Sequence, residues 1–349
     1  MNGNNISGKI TVLLVDDSAI VLTVLKRILA PCPDIEVVGT ARDGREALER
    51  IPKLSPRVIC TDLHMPVMDG LELTREVMDR FPTPILVVSV SVKDNVMNVF
   101  KLLEAGAVDV FPKPHGILEG DYCDSRNELA QKIRILAGVN VVRRRRRIEA
   151  PSPPLKDEPA VSPKIVVIGA STGGPVALQR VLSALPPSFP LPIVCVQHIS
   201  DGFLLGLVEW LDSVCGLKMA IAREGWQPLP GTVYFPPEGT HLLFNAEGRF
   251  RYSRENGVNG HRPSVSMTFE SAANIFGDAA IGVLLTGMGS DGASGMKAIH
   301  DAGGITIAQD EKTSVVFGMP KQAIELGAAR EVAPLEEIAS LIMSYAAIR

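Results

Sequence analysis

Residues 164–175 read KIVVIGASTGGP, and they decide the fold of the second half of the chain. A short apolar run enters a turn of small residues with Ser171 near its apex, which reads as a buried strand passing into a tight strand-to-helix turn. Three chemistries use turns of this kind. A Walker phosphate loop needs GxxxxGK[ST], but Pro175 follows the second glycine of the pair and no lysine is present. A dinucleotide turn needs GxGxxG and an acid near the end of the next strand; here the turn is GxxxGG, and the next strand, PIVCVQH, ends in Gln197 and His198. The third chemistry is a nucleophile on a sharp turn, where small neighbours expose the hydroxyl and backbone N–H groups face a developing oxyanion. The spacing GASTG puts Ser171 where a nucleophile elbow puts its serine, without the strict GxSxG pattern.

A serine at a helix start is most often an N-cap, so Ser171 needs partners before it is read as a nucleophile. His198 lies at the carboxyl end of the second strand of this half, and adjacent parallel strands run roughly 4.8 Å apart. Side chains at neighbouring strand ends can therefore reach one another. A later strand, AIGVLLTGMGSDGASG, leads into a glycine-rich turn containing Asp291. Ser171, His198 and Asp291 together supply a nucleophile, a base and an orienting acid. Their order along the chain is unlike that of chymotrypsin, subtilisin or the α/β-hydrolases. Further strands, GTVYFPP, HLLFNA, RFRYS and GITIAQD, make this half α/β with a strand-turn insertion.

Outward toward the N-terminus lies a seam. Residues 126–163 form the expected linker, containing the arginine run Arg143–Arg147 and a proline-rich stretch, both of which resist packing. The domains it joins are expected over residues 9–125 and 164–349. In the first, five apolar strands alternate with amphipathic helices, which predicts a doubly wound parallel sheet with ligands at its carboxyl edge. Asp16 and Asp17 follow the first strand, Asp62 ends the third, Ser89 ends the fourth, and Lys113 follows the fifth. Three converging carboxylates repel one another unless a cation joins them, and hard oxygen ligands suit Mg²⁺.

Composition narrows the classes. The 349 residues fit about two domains, and the 46% hydrophobic content can fill two cores. A net charge of -4 gives no global reason to expect nucleic-acid binding. Five dispersed cysteines with no CxxC or zinc spacing fit reduced thiols. The N-terminus lacks the pattern of a signal peptide, and no apolar run approaches the ~18 residues of a membrane span. The expectation is a cytoplasmic protein without membrane insertion.

On LLVDDS, TDLHMPVMDG and the terminal Lys-Pro pair, residues 9–120 resemble a response-regulator receiver domain. The resemblance implies that Asp62 accepts a phosphoryl group from a chemotaxis histidine kinase. It implies that Asp16, Asp17, Asp62 and the backbone carbonyl of His64 hold Mg²⁺, that Ser89 senses the phosphoryl group, and that Lys113 pairs with it. Many receivers place a switch aromatic three residues before the lysine; here that position is Val110, with Phe111 next.

VIGASTGGP, VQHISDGF, NGHRPSV, LTGMGSDGASGM, TIAQDE and GMP, in that order, resemble the catalytic domain of the chemotaxis protein-glutamate methylesterases, the CheB family. The resemblance implies a methylesterase domain with a mostly parallel sheet that hydrolyses glutamate γ-methyl esters on chemoreceptors, often with deamidation of receptor glutamines. Ser171 is then the nucleophile, His198 the base, Asp291 the orienter, and the Met288 amide an oxyanion donor, with no cofactor for the hydrolysis. Where the family commonly continues RPSVD, this chain has Ser266, which predicts altered substrate or loop contacts in a segment outside the triad. Two other readings stay open. One is a methylesterase homologue acting on a target outside chemotaxis; the other is a non-enzymatic binding module that uses the basic tract.

Overall fold

The computed structural model describes residues 8–90, 96–114, 122–139, 162–255 and 261–346. The Arg143–Arg147 run lies outside them. The chain divides into two compact units, Met1–Arg145 and Arg146–Arg349.

In the first unit strands and helices alternate: β1 (Ile10–Val15), α1 (Ala19–Leu29), β2 (Ile35–Ala41), α2 (Gly44–Leu54), β3 (Val58–Thr61), α3 (Gly70–Arg80), β4 (Ile85–Ser89), α4 (Val96–Ala105), β5 (Asp109–Pro112) and α5 (Tyr122–Leu136). The five strands pair in parallel in the order β2-β1-β3-β4-β5. Three of the helices begin at short polar caps: Ser18, Asp43 and Asp69 each accept a hydrogen bond from an amide of the first turn. Strand order reverses between β1 and β3, so a crevice opens at their carboxyl ends, and Asp16, Asp17 and Asp62 stand there.

The segment from residue 126, expected as linker, is instead helical through Leu136. Leu129, Ala130, Ile133 and Leu136 recur at helical spacing and are buried, each large apolar side chain contributing roughly 1.5–3 kcal/mol. Lys132 pairs with Asp109 at 2.9 Å, and Arg57 donates to the Ala137 carbonyl at 2.8 Å, which ties α5 to the sheet. The charged residues of α5 masked its apolar stripe in the sequence.

The second unit contains β6 (Ile165–Ala170), α6 (Gly174–Ser183), β7 (Ile193–Gln197), α7 (Leu204–Val214), β8 (Lys218–Ile221), β9 (Thr232–Phe235), β10 (His241–Phe244), β11 (Phe250–Ser253), α8 (Val265–Phe276), β12 (Ala280–Leu284), α9 (Ala293–Asp301), β13 (Ile305–Gln309), α10 (Met319–Glu325), β14 (Glu331–Ala333) and α11 (Leu335–Ala346). Seven strands form one sheet in the order β14-β13-β12-β6-β7-β9-β8. Every described pairing in it is parallel. Of the expected strand-turn insertion, HLLFNA and RFRYS form the separate antiparallel hairpin β10–β11, whereas GTVYFPP joins the main sheet as β9. All six residues of β6 are buried, as a strand covered by helices on both faces requires. From β6 the chain runs out through β7 on one side and returns to β12 on the other, so a second crevice opens at the carboxyl ends of β6 and β12. The Ser171 turn and the Thr286–Asp291 turn meet at that point.

Candidate active site and acid cluster

The turn after β6 is fixed by backbone bonds on both sides. Ser171 N–H donates to the Thr286 carbonyl at 3.0 Å, and His198 N–H donates to the Ala170 carbonyl at 3.0 Å. Register carries Ala170 opposite Gln197, so Ser171 and His198 occupy adjacent strand ends. The capping alternative for Ser171 fails: the N-cap of α6 is Gly173, at φ 77°, and no side chain caps the helix. A Cβ on Gly287 would lie 2.8 Å from Ser171 Cβ and 2.3 Å from Met319 Sδ, so only glycine lets the β12 turn approach the serine this closely.

Asp291 is 2% exposed and its carboxylate is saturated with donors. Oδ1 accepts from Ser264 Oγ at 2.9 Å, Ser266 N at 2.9 Å and Gly292 N at 3.0 Å. Oδ2 accepts from Val265 N at 2.8 Å and from His198 Nε2 at 2.9 Å. Burial alone would raise the carboxyl pKa, but the His198 bond and charge and the Ser266 and Val265 amides prevail, holding it well below the usual carboxylate range. An ionised carboxylate only accepts, so Nε2 donates, and in the neutral imidazole the lone pair is on Nδ1. Nδ1 is buried and has no hydrogen-bond partner among the described residues. The structure brings Asp291 onto His198 and Ser171 to the neighbouring strand end; a Ser171–His198 hydrogen bond is not among the contacts of the described residues.

Several residues escaped the sequence reading. The segment carrying Ser266, expected to lie outside the triad, instead holds the acid. Ser264 caps α8, and the first amides of that helix point at the Asp291 carboxylate, the arrangement in which a helix N-terminus binds an anion. Ser266 Oγ also accepts from Gly292 N at 2.7 Å. Behind it, buried His241 accepts from Ser264 N at 3.0 Å through Nδ1 and donates to the Glu255 carbonyl at 3.0 Å through Nε2. Gln197 Nε2 bridges the carbonyls of Ser171 and His198, each at 2.8 Å. The His261 ring lies on that of His198, centroids 4.2 Å apart and planes 12° apart. Met288 follows Gly287 in the β12 turn and is 41% exposed.

At the other crevice, Lys113 Nζ reaches Asp16 Oδ2 at 2.7 Å and Asp62 Oδ2 at 2.8 Å. Carboxylate oxygens of Asp16, Asp17 and Asp62 lie within 4.8 Å of one another. Burial raises the Asp16 pKa despite its Lys113 partner. Burial works against the Lys113 charge, yet its bonds to Asp16 and Asp62 leave its pKa raised. Leu63 N donates to Asp62 Oδ1 at 2.7 Å, leaving Lys113 on the other oxygen. Ser89 Oγ, at the end of β4, is buried without a partner among the described residues. His64 is exposed in the loop after Asp62, and Val110 and Phe111 are both buried in β5.

Two such crevices in one chain define a class: a five-stranded unit with an acid cluster at its sheet edge, and a seven-stranded α/β unit with a serine, a histidine and an aspartate at its own. The family description "Response regulator receiver domain" matches residues 12–119, and "CheB methylesterase" matches residues 166–342. The chain belongs to the CheB methylesterase family. It is 42% identical over 346 residues to "Protein-glutamate methylesterase/protein-glutamine glutaminase 1" of Syntrophus aciditrophicus, covering 97% of this chain and 98% of that one. It is also 42% identical over 345 residues to a relative in Pseudomonas aeruginosa, "Protein-glutamate methylesterase/protein-glutamine glutaminase 2", covering 97% and 98%. The CheB methylesterase catalytic domain of Thermotoga maritima aligns at TM-score 0.51 and 43% identity, over 53% of this chain and 99% of that one. No described helix is long and apolar enough to cross a membrane.

Proposed function

We propose that the chain hydrolyses glutamate γ-methyl esters on methyl-accepting chemoreceptors in the cytoplasm, that phosphorylation of Asp62 regulates the rate, and that receptor glutamine deamidation proceeds at the same site. Its relatives of similar length, protein-glutamate methylesterase/protein-glutamine glutaminases, support the substrate class. The observation that carries the mechanism is the 2.9 Å bond from His198 Nε2 to an ionised Asp291, which leaves Nδ1 as the basic nitrogen beside the Ser171 strand end.

In this reading His198 Nδ1 takes the Ser171 Oγ proton as the oxygen attacks the ester carbonyl carbon. Negative charge moves onto the carbonyl oxygen, where the Met288 amide stabilises it. Collapse breaks the bond to the methoxy oxygen, which leaves as methanol with the proton from Nδ1. Water, deprotonated by the same nitrogen, then frees the glutamate carboxylate and returns the proton to Ser171. Asp291 remains ionised throughout and stabilises the imidazolium.

In the receiver unit, the clustered carboxylates fit Mg²⁺: the donors are hard oxygens, and burial disfavours Asp16 as an anion even with Lys113 and the Ser18 amide to offset it. Asp16, Asp17, Asp62 and the His64 carbonyl would hold it, and it would neutralise charge during phosphoryl transfer from the kinase to Asp62. Ser89 and Lys113 would receive the phosphoryl oxygens. Regulation then requires that phosphorylation favour one state of the chain by a difference in free energy.

The test is methanol release from methylated chemoreceptor membranes, with and without Mg²⁺ and a small phosphodonor, for the wild type and Asp62→Ala. Release that rises with phosphodonor only in the wild type is expected. Equal release in all four conditions would remove the regulation; no release from phosphorylated wild type would remove the substrate.

A further inference from the structure

His261 precedes the α8 cap by three residues, and its ring covers one face of His198. The two planes are 12° from parallel at 4.2 Å, close to a stacked pair. Asp291 holds His198 by one ring edge only, through Nε2. A single edge contact leaves the ring free to rock about that bond, and rocking moves Nδ1, the atom that must meet the serine proton. A flat surface against the ring face removes that freedom.

We infer that His261 is a positioning residue: it fixes the plane of the His198 base by stacking and shields that face from water, so that Nδ1 stays aligned for proton transfer with Ser171. The inference rests on the Ser171–His198–Asp291 reading above. The charge environment agrees with it. His261 is held below the ordinary imidazole value by desolvation and by His198, against the pull of Asp291, which favours its neutral form. A neutral ring tolerates an imidazolium on its face, whereas two stacked cations would repel. The other groups around the pair are accounted for: Arg262 donates to the Glu255 carbonyl, His241 is spent on Ser264 and Glu255, and the α8 amides serve Asp291.

Phenylalanine keeps a flat ring and alanine does not, so the two variants separate stacking from imidazole chemistry. With methylated receptor membranes as substrate, His261→Ala is expected to lose kcat by roughly 10–100-fold with KM within about twofold, the size of loss that misplacing a catalytic group produces. Water admitted to the bared His198 face favours its charged form, so the acidic limb of the rate profile moves to higher pH. His261→Phe is expected to restore both kcat and the limb. A second readout does not need turnover: in a Ser171→Ala background, the NMR titration of the His198 ring moves to higher pH with His261→Ala and not with His261→Phe. Failure of the triad reading shows separately, as methanol release that survives Ser171→Ala. His261→Ala matching the wild type in kcat and limb would overturn the inference, as would His261→Phe performing no better than His261→Ala.

Discussion

Asp291 meets His198 at Nε2, 2.9 Å away, and not at Nδ1, so the imidazole is turned relative to the common serine-protease triad and its basic nitrogen is Nδ1. This orientation predicts the effect of Asp291→Asn. The amide NH₂ would donate to Nε2, which forces the ring proton onto Nδ1 and removes the base. Methanol release should fall by about 10³–10⁴-fold near neutral pH, as wrong-tautomer triads do. A loss under about tenfold, measured on folded protein, would show that Asp291 does not set the tautomer.

Ser264 both caps α8 and donates to Asp291. Ser264→Ala should therefore lower stability by about 1 kcal/mol in urea unfolding and also reduce kcat. Asp43, which caps α2 in the receiver unit, supplies the comparison: Asp43→Ala should cost similar stability without touching the basal esterase rate. Equal kcat in the two variants would show that the Ser264 hydroxyl serves only the helix.

Gly287→Ala places a methyl group 2.8 Å from Ser171 Cβ and 2.3 Å from Met319 Sδ. Overpacking of this kind costs about 1–3 kcal/mol, and the turn must retreat from the serine. A large fall in kcat with a lowered Tm is expected; full activity would show that the turn after β12 does not frame the nucleophile.

The two buried acids respond to pH with opposite sign. Asp291 is lowered in the folded state, so its contribution to stability is present above its unfolded value, near 3.8, and is lost as pH falls toward its folded value. Asp16 is raised, so its contribution is present below 3.8 and is lost as pH rises through its folded value. Near neutral pH without Mg²⁺, Asp16→Asn should therefore raise the Tm of the receiver unit, and the gain should vanish near about pH 3. Calorimetry of the full chain across that range reads it; a lower Tm at neutral pH would contradict the burial argument.

Much of the site was legible in the sequence because the decisive residues stand at strand ends, where alternating strands and helices fix which edge they share. Asp16, Asp17, Asp62, Ser171 and His198 each follow or end an apolar run. The support around Asp291 was not legible. Its donors Ser264, Val265 and Ser266 lie 25–27 positions away in the chain, and only the direction of α8 aims their amides at the acid. His261 and His241 belong to the same approach, and no local periodicity announces a ring stack or a bond to a helix cap. The position of β8 outside β9 is likewise a matter of crossover connections, which apolar patterning does not order.

The proposed mechanism requires an acyl-enzyme at Ser171. A short peptide bearing a glutamate γ-methyl ester, quenched in acid during turnover and read by mass spectrometry, detects that intermediate. The expected adduct has the mass of the peptide less methanol and sits on the fragment containing Ser171, with both adduct and methanol release absent in Ser171→Ala. Methanol release that persists in that variant would show that another group carries the chemistry.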